Sequence, residues 1–254
     1  MTTQSDQEFI SKAHRIVEVA TERKVVLRLL GAIAFRIHSL RFEYLHKTLG
    51  RSISDMDFMG YGKQKNDIEK VFASLGYMKR PPSLTTAYSY RDIYLETNGN
   101  LVIDVFFDKL QMCHTIDFRN RLELDSPTIP LADMLLQKLQ IVQLNEKDVK
   151  DVLVLLREHS VGEGEKEIVN MPYITKLLSD DWGFYYTVTT NLRKVKDLAE
   201  NHSALTEEDK KDIDAKIGQL LSATENEPKS FSWKMRARVG TSKKWYREVE
   251  VTSA

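Results

Sequence analysis

Three aspartates are the residues of this chain whose types and spacing favour chemistry. Asp55 and Asp57 are separated by one residue in Ser-Asp-Met-Asp-Phe, and Asp104 is the lone acid in Leu-Val-Ile-Asp-Val-Phe-Phe. In a β-strand, residues i and i+2 point to the same face about 6.6 Å apart, so Asp55 and Asp57 are predicted to point together. A charge within an apolar strand is costly unless a cation or hydrogen-bond donors compensate it. On neighbouring strands the three acids would form a site for a hard cation, most naturally Mg2+.

The pair alone also fits a plainer interpretation, because aspartates are common in solvated surface turns. Asp104 favours the metal site, since its apolar flanks leave little room for a solvated face. About fifty residues separate it from the pair, which is enough chain for a strand, a helix and a return strand.

Length and composition are typical of a globular protein with one or two domains. The 254 residues can bury roughly 70–75% of the surface that the unfolded chain exposes. The 37 basic residues balance the 37 acidic ones, so the net charge demands neither nucleic acid nor an anionic membrane as a partner. The single cysteine, Cys113, excludes an internal disulfide, and no apolar segment approaches the ~20 residues that span a bilayer. We therefore expect a soluble, cytoplasmic protein with no membrane partner.

The basic residues are concentrated near the C-terminus. Residues 229–247 contain seven basic residues and no acid, interleaved with the aromatic residues Phe231, Trp233, Trp245 and Tyr246. Such a segment can neutralise the phosphates of an RNA strand and stack its bases. It can equally pack its aromatic rings on neighbouring helices while its charges face water. The sequence leaves both interpretations open.

Hydrophobic periodicity divides the chain into a mixed N-terminal part and a helical C-terminal part. In the first part, helices are predicted at about residues 9–20, 32–40 and 68–75, and strands at residues 25–30, 55–59, 88–96, 101–107 and 121–124. Thr-Asn-Gly-Asn, between the third and fourth strands, is a hairpin signal. In the second part, helices are predicted at about residues 131–143, 146–159, 166–179, 184–201 and 206–222.

These elements predict an α+β fold, in which a small mixed sheet with flanking helices is followed by a helical C-terminal region. The boundary is expected within residues 125–130, which separates a domain at 1–127 from a region at 128–254.

Lys138 has an unusual place on the helix predicted at residues 131–143. At 100° per residue the apolar residues fill one arc that also contains Lys138, whereas Asp133, Gln137 and Gln140 fill the opposite, polar arc. A lysine in an apolar arc extends outward to water, pairs with a buried acid, or binds an anion such as phosphate. On the following helix Asp148 lies at the edge of the apolar face, where a dipole or capping role is the plain alternative.

The order of these features resembles the polymerase-β-like nucleotidyltransferases, and within them the AbiEii type, which includes toxin components of bacterial toxin and antitoxin pairs. The resemblance covers roughly residues 25–160. It rests on a strand ending in Gly31, on Arg51 four residues before Asp55, on the distal acid Asp104, and on the motifs Pro-Leu-Ala-Asp-Met-Leu-Leu-Gln-Lys-Leu and Lys-Asp-x-x-Asp.

The resemblance implies an enzyme with a nucleotidyltransferase core, which moves a nucleoside monophosphate from an NTP, ATP included, to an acceptor hydroxyl or sometimes to another acceptor. It implies that Asp55, Asp57 and Asp104 are catalytic and hold Mg2+, or else Mn2+, beside the triphosphate, with Asp104 also activating the acceptor. Lys138 would meet the triphosphate charge as a further catalytic residue. The implied nucleotide-binding residues are Gly31, Ala32, Arg51, Lys138 and Asp148. Residues 128–160 would complete the active site, and residues 161–254 would supply accessory helices and the basic tail.

The acceptor and the biological role follow only if the toxin resemblance extends that far. The acceptor is then RNA or tRNA, and an antitoxin protein is a partner. Two positions depart from the family pattern: Ala32 brings no hydroxyl to a phosphate, and Ile53 stands where the family often has Thr. The alternative is a non-catalytic nucleotide- or RNA-binding module that retains the fold. Sugar-nucleotide transfer with Mn2+ is a further candidate, but it leaves Gly31 and Lys138 without a purpose.

Overall fold

The computed structural model describes residues 4–53, 55–81, 91–97 and 101–249. The chain divides into two compact units. The N-terminal unit contains Met1–Leu110 and Asp117–Pro130, and the C-terminal unit contains Gln111–Ile116 and Leu131–Ala254. Within the described ranges, no helix combines the length and the apolar character that crossing a bilayer requires.

The N-terminal unit is a mixed sheet with flanking helices. Its elements are α1 (Gln4–Glu22), β1 (Leu27–Leu30), α2 (Gly31–Ile37), α3 (Glu43–Thr48), β2 (Met56–Gly60), a 3-10 turn (Gly62–Gln64), α4 (Lys65–Ser74), β3 (Tyr77–Lys79), β4 (Arg91–Glu96) and β5 (Val102–Phe107). Two short strands, β6 (Lys109–Gln111) and β7 (Thr115–Asp117), pair with each other, and the boundaries between the units fall within them.

The main sheet has five strands in the order β1-β2-β5-β4-β3. The central pair, β2 and β5, is parallel, and the other pairs are antiparallel. A parallel pair needs a crossover connection, and here α4, β3 and β4 lie in the chain between its two strands. The predicted α+β fold with a mixed sheet is therefore confirmed.

One face of this sheet is the core of the unit. Met56, Phe58, Ile103 and Val105 alternate along the two central strands and are fully buried. On the same face, the ring of Phe72 from α4 stacks on Tyr94 with 4.2 Å between centroids and meets Phe58 edge-on at 5.9 Å. The residues between these apolar ones point to the opposite face, where Asp57 and Asp104 lie.

The C-terminal unit is mainly helical, as predicted. It contains α5 (Leu131–Leu139), α6 (Glu146–Glu158), β8 (Ser160–Gly162), β9 (Ile168–Asn170), α7 (Met171–Asp180), α8 (Trp182–Asn201), α9 (Glu207–Asn226) and α10 (Phe231–Val239). The helices α6 to α10 each start with a polar residue whose side chain accepts the backbone N–H three residues later, which satisfies an otherwise unpaired donor. These N-caps are Asn145, Asn170, Asp181, Thr206 and Ser230.

Several details differ from the predicted elements. The strand predicted at residues 121–124 is wrong: Arg121 donates its N–H to the carbonyl of Phe118 and Leu124 donates to that of Arg121, so the segment is a series of turns. The helix predicted at residues 166–179 begins only at Met171, because residues 168–170 form a strand that pairs in parallel with β8. Residues 88–90 of a predicted strand and residues 98–100 of the hairpin signal lie outside the described ranges.

The ring cluster generates a stability prediction. Truncation by Phe72→Ala removes a fully buried ring and leaves a cavity beside Tyr94 and Phe58, so we expect the free energy of unfolding to fall by about 3–5 kcal/mol. Urea unfolding followed by circular dichroism measures the loss. Val102→Ala is the control, because Val102 is 43% exposed, and it should cost under about 1 kcal/mol. Equal losses in both variants would contradict the assignment of the core to this face.

Candidate active site

Asp57 and Asp104 lie side by side on the sheet. Asp57 is directly opposite Asp104 in the parallel register of β2 with β5, and it is opposite Leu30 at the end of β1. Side chains of directly paired residues point to the same face, and neighbouring strands are about 4.8 Å apart. The two carboxylates therefore share the face opposite the aromatic core, as expected for acids that act together.

Asp55 lies just outside the strand. The strand β2 begins at Met56, one residue later than predicted, and Asp55 is exposed. Its charge nevertheless acts on Asp104, where it raises the pKa of the carboxyl group. Among the described residues, the three acids do not bring one oxygen each within 4.8 Å of the others. In this conformation the three acids do not close around a single ion, and a metal held by all three stays a prediction.

Asp104 has one oxygen in contact with an arginine, and its other oxygen has no partner among the residues that the structure describes. Oδ2 lies 3.4 Å from Nη1 of Arg91, whereas Oδ1 is buried and accepts no hydrogen bond from the described residues. Burial raises the pKa of Asp104 above its usual range; the charges of Arg91 and Arg80 act in the opposite direction. A buried carboxylate oxygen without a donor is destabilising by about 1–3 kcal/mol or more. A bound cation would compensate it, and carboxylate oxygens are the ligands that Mg2+ prefers, so the residues fit this metal.

Gly31 brings the backbone close to the carboxylate of Asp57. It has φ of +69°, a region that L side chains rarely adopt, and a Cβ at this position would lie 2.3 Å from Oδ2 of Asp57. Ala32, the next residue, is 5% exposed. Only glycine therefore lets the backbone between β1 and α2 pass this close to the carboxylate of Asp57. A contact between Gly31 and a nucleotide phosphate stays a prediction.

Arg51, another predicted nucleotide-binding residue, is engaged with the backbone. It is 8% exposed, and its guanidinium donates to the carbonyl of Ser52. The carbonyl of Arg51 accepts from Arg36, which also forms a buried ion pair with Asp6 at 3.2 Å. A contact between Arg51 and a nucleotide stays a prediction.

Lys138 forms ion pairs with two acids of the next helix. Its Nζ lies 3.1 Å from Asp148 and 3.0 Å from Asp151, and the Asp151 side chain is 1% exposed. Among the alternatives for Lys138, the structure therefore supports a buried acid partner. Asp148 lies in the first turn of α6, where its N–H donates to the side chain of the N-cap Asn145. Binding of a triphosphate by Lys138 or Asp148 stays a prediction.

The polar arc of α5 is buried, which the helical wheel did not predict. Asp133 and Gln140 are fully buried and Gln137 is 5% exposed. Asp133 accepts a hydrogen bond from the hydroxyl of Tyr173 on α7. Gln140 accepts a hydrogen bond from the N–H of His114 through Oε1. Asp133 and Gln140 thus contact other parts of the C-terminal unit where a solvated face was expected.

The basic C-terminal segment packs through its aromatic residues. Trp233 meets Tyr185 of α8 edge-on, with 5.1 Å between centroids, and Trp245 meets Tyr186 in the same way while its Nε1 donates to Thr187. The structure thus contains the packing element that was one of the two interpretations. RNA binding by this segment is untested.

Arg91 is the residue that sequence reasoning missed. It lies in a predicted strand and carried no motif of its own. Its place two residues before Ile93, the partner of Asp104, brings it diagonally opposite Asp104. The register of β4 with β5 sets this contact, and the sequence alone does not predict that register.

Comparison with known proteins gives distant structural neighbours. No family model matches the sequence, and no curated protein is similar to it. A solution structure described as antibiotic-resistance factor ANT(2″)-Ia aligns with a TM-score of 0.41 and 13% identity over 59% of this chain and 83% of that chain. A crystal structure of ANT(2″)-Ia in complex with adenylyl-2″-tobramycin aligns with a TM-score of 0.37 and 14% identity over 57% and 86%.

At this identity and TM-score, the similarity carries no conclusion about the activity of this chain. The AbiEii type is not confirmed.

Gly31 generates a prediction on metal binding. Gly31→Ala should displace Asp57, because the new Cβ would overlap its carboxylate, and affinity for Mn2+ measured by calorimetry should fall about tenfold or more. The unfavourable φ should also lower the free energy of unfolding by about 1–2 kcal/mol.

Gly50→Ala is the matched control. Gly50 has φ of +66° and no atom within 4 Å of a built Cβ, so it shares the backbone strain without the overlap. If Mn2+ affinity is the same in both variants, Asp57 is not a ligand.

Lys138 generates a prediction on stability. In Lys138→Met the acids at 148 and 151 lose their cation while they stay largely buried, so we expect a loss of about 3–5 kcal/mol in the free energy of unfolding. Lys150→Met is the control on α6, since Lys150 pairs with Glu146, which is 81% exposed, and its loss should be under about 1 kcal/mol. A loss of that small size for Lys138→Met would show that the pair is not a buried ion pair in solution.

Proposed function

We propose that this chain is a metal-dependent nucleotidyltransferase that moves a nucleoside monophosphate from an NTP to an acceptor hydroxyl. The observation that carries the proposal is Asp57 opposite Asp104 on the face of the mixed sheet away from the aromatic core, with a buried oxygen on Asp104 that has no hydrogen-bond partner among the described residues. The close approach of Gly31 to Asp57 supports it. Two acids from separate strands, Asp57 of β2 and Asp104 of β5, thus lie side by side, and the backbone of Gly31 passes close to Asp57.

In the proposed reaction the acceptor oxygen attacks the α-phosphorus of the NTP. A new bond forms between that oxygen and the phosphorus, the bond to the bridging oxygen of the β-phosphate breaks, and pyrophosphate leaves. Asp55, Asp57 and Asp104 would hold Mg2+, or Mn2+, which when bound neutralises the developing charge on the phosphate oxygens. Asp104 would take the hydroxyl proton of the acceptor, either directly or through one water.

Other parts of the proposal rest on the family resemblance. Residues 1–127 would be the nucleotidyltransferase core, with Gly31, Ala32 and Arg51 at the nucleotide. Residues 128–160, with Lys138 and Asp148, would complete the active site, and residues 161–254 would be accessory. RNA or tRNA as acceptor, an antitoxin partner, a toxin role and a cytoplasmic location belong to the same proposal.

The non-catalytic module remains the second candidate. Two observations favour it: Ala32 offers no hydroxyl to a phosphate, and Lys138 is compensated by two acids within its own unit. Such a module would bind an NTP in the presence of Mg2+ and would transfer nothing.

Label transfer separates the two candidates. The protein is incubated with each α-labelled NTP, Mg2+ and total RNA, and label is sought on RNA and on protein. We expect transfer that EDTA abolishes and that Asp57→Asn and Asp104→Asn lower on the order of a hundredfold or more, because each would remove a charge that stabilises the transition state.

Asp67→Asn is the control for this assay, since Asp67 lies on the surface of α4 and pairs only locally with Lys70. It should transfer like the wild type. NTP binding by calorimetry without transfer to RNA or protein, under every nucleotide tested, would reject the enzyme in favour of the module.

A further inference from the structure

A row of residues crosses the sheet at the level of the acids. Leu30 at the end of β1 pairs with Asp57, Asp57 with Asp104, and Asp104 with Ile93 of β4. The row continues to Arg80, whose N–H donates to the carbonyl of Ile93 at 2.8 Å. Gly31 thus lies at one end of the row and an arginine at the other.

A second arginine lies at the same end. Arg91 is two residues before Ile93, so it points to the same face as Asp104, and its guanidinium reaches Asp104 at 3.4 Å. The side chains of this ion pair are 29% and 25% exposed. A contact that long and that accessible is weak, and a stronger anion can replace it.

The two ends of the row differ in chemistry. Gly31 approaches Asp57 through its backbone, whereas Arg91 and Arg80 bring two positive side chains to the β4 side of Asp104. With strands about 4.8 Å apart, the strand of Arg91 lies roughly 10 Å from that of Asp57. If the phosphates of the donor NTP lie at the Gly31 end, the arginines lie at the other end of the row, on the side of Asp104 where the acceptor would bind.

We propose that Arg91 and Arg80 form a binding site for a phosphate group of the acceptor, so that the acceptor substrate is an anion. The inference rests on the proposed function, since it assigns the donor to the Gly31 end. Guanidinium groups bind phosphate through paired, charge-assisted hydrogen bonds, which suits a nucleic acid end or a small phosphate ester. A cationic acceptor would meet two like charges at this point.

Kinetics of the wild type and of Arg91→Met test the assignment. With total RNA as acceptor and α-labelled NTP as donor, the apparent KM for RNA should rise about tenfold or more in Arg91→Met, while the KM for NTP changes less than about twofold. Arg91→Lys should recover part of the loss, and Arg80→Met should act in the same direction as Arg91→Met. Arg15→Met, on the exposed surface of α1, should match the wild type. A rise in the KM for NTP instead would place Arg91 at the donor and overturn the proposal.

Binding measured without turnover separates this site from the proposed activity. A labelled short oligoribonucleotide is titrated with protein in Ca2+, next to the same sequence with an uncharged methylphosphonate backbone. We expect the charged strand to bind more tightly, Arg91→Met to weaken it about tenfold or more, and the uncharged strand to bind both proteins equally. Arginine-dependent binding in a protein that transfers no label would reject the enzyme and keep the site. Transfer that is indifferent to both arginines would reject the site and keep the enzyme.

Competition by AMP identifies the source of the phosphate. Displacement of the oligoribonucleotide by AMP from the wild type, but not from Arg91→Met, would assign the site to a small phosphate ester. Arginine-dependent binding without such competition would assign it to a polynucleotide. Equal binding of charged and uncharged strands would overturn the proposal for both.

Discussion

The parallel pairing of β2 with β5 is the constraint on which the chemistry of the N-terminal unit depends. It sets Asp57 opposite Asp104 while Phe58 and Val105, their neighbours, point to the core. Because side chains alternate, a shift of one residue in this register would exchange the two faces and bury the carboxylate. The rings of Phe58, Phe72 and Tyr94 oppose such a shift, since it would break their contacts on the core face.

A second principle governs the C-terminal unit, where buried charges have specific partners. Arg157 of α6 contacts three acids, among them Asp209 at 2.6 Å, which also caps α9 through Thr206. Although burial opposes it, the hydrogen bonds from Arg157 and Thr206 lower the pKa of Asp209. Lys138 with its two acids follows the same principle. Each pair tolerates burial only while both partners are present, so these charges fix which helix faces which.

The sequence alone predicts much of the fold because its strongest signals are local. An apolar run beside a hairpin signal revealed β5, and the Asp-x-Asp segment indicated a strand close to β2. Residues 121–124 misled because Arg-Leu-Glu-Leu alternates like a strand while its hydrogen bonds are those of turns. The wheel of α5 failed for a related reason: it assumes one apolar neighbour and one side of water, whereas Asp133 meets Tyr173 inside the unit.

The partners of the acids could not be predicted in the same way. That Arg91 contacts Asp104 depends on the pairing of β4 with β5, and a sequence with one plausible hairpin still allows several registers. Lys138 was recognised as anomalous, but only the packing of α6 decides among water, acid and ligand. These contacts depend on how segments distant in the sequence pack together, which composition and local patterns do not predict.

The aromatic contacts of the C-terminal segment limit where this chain can be shortened. Trp245 covers Tyr186 and binds Thr187, and Arg236 lies 4.7 Å from the ring centre of Trp182. A truncation that removes residues 229–247 would expose the aromatic rings of Trp182, Tyr185 and Tyr186 on α8. Exposed aromatic surface promotes self-association. An affinity tag added after residues 229–247, rather than in place of them, would keep these aromatic contacts and so limit self-association.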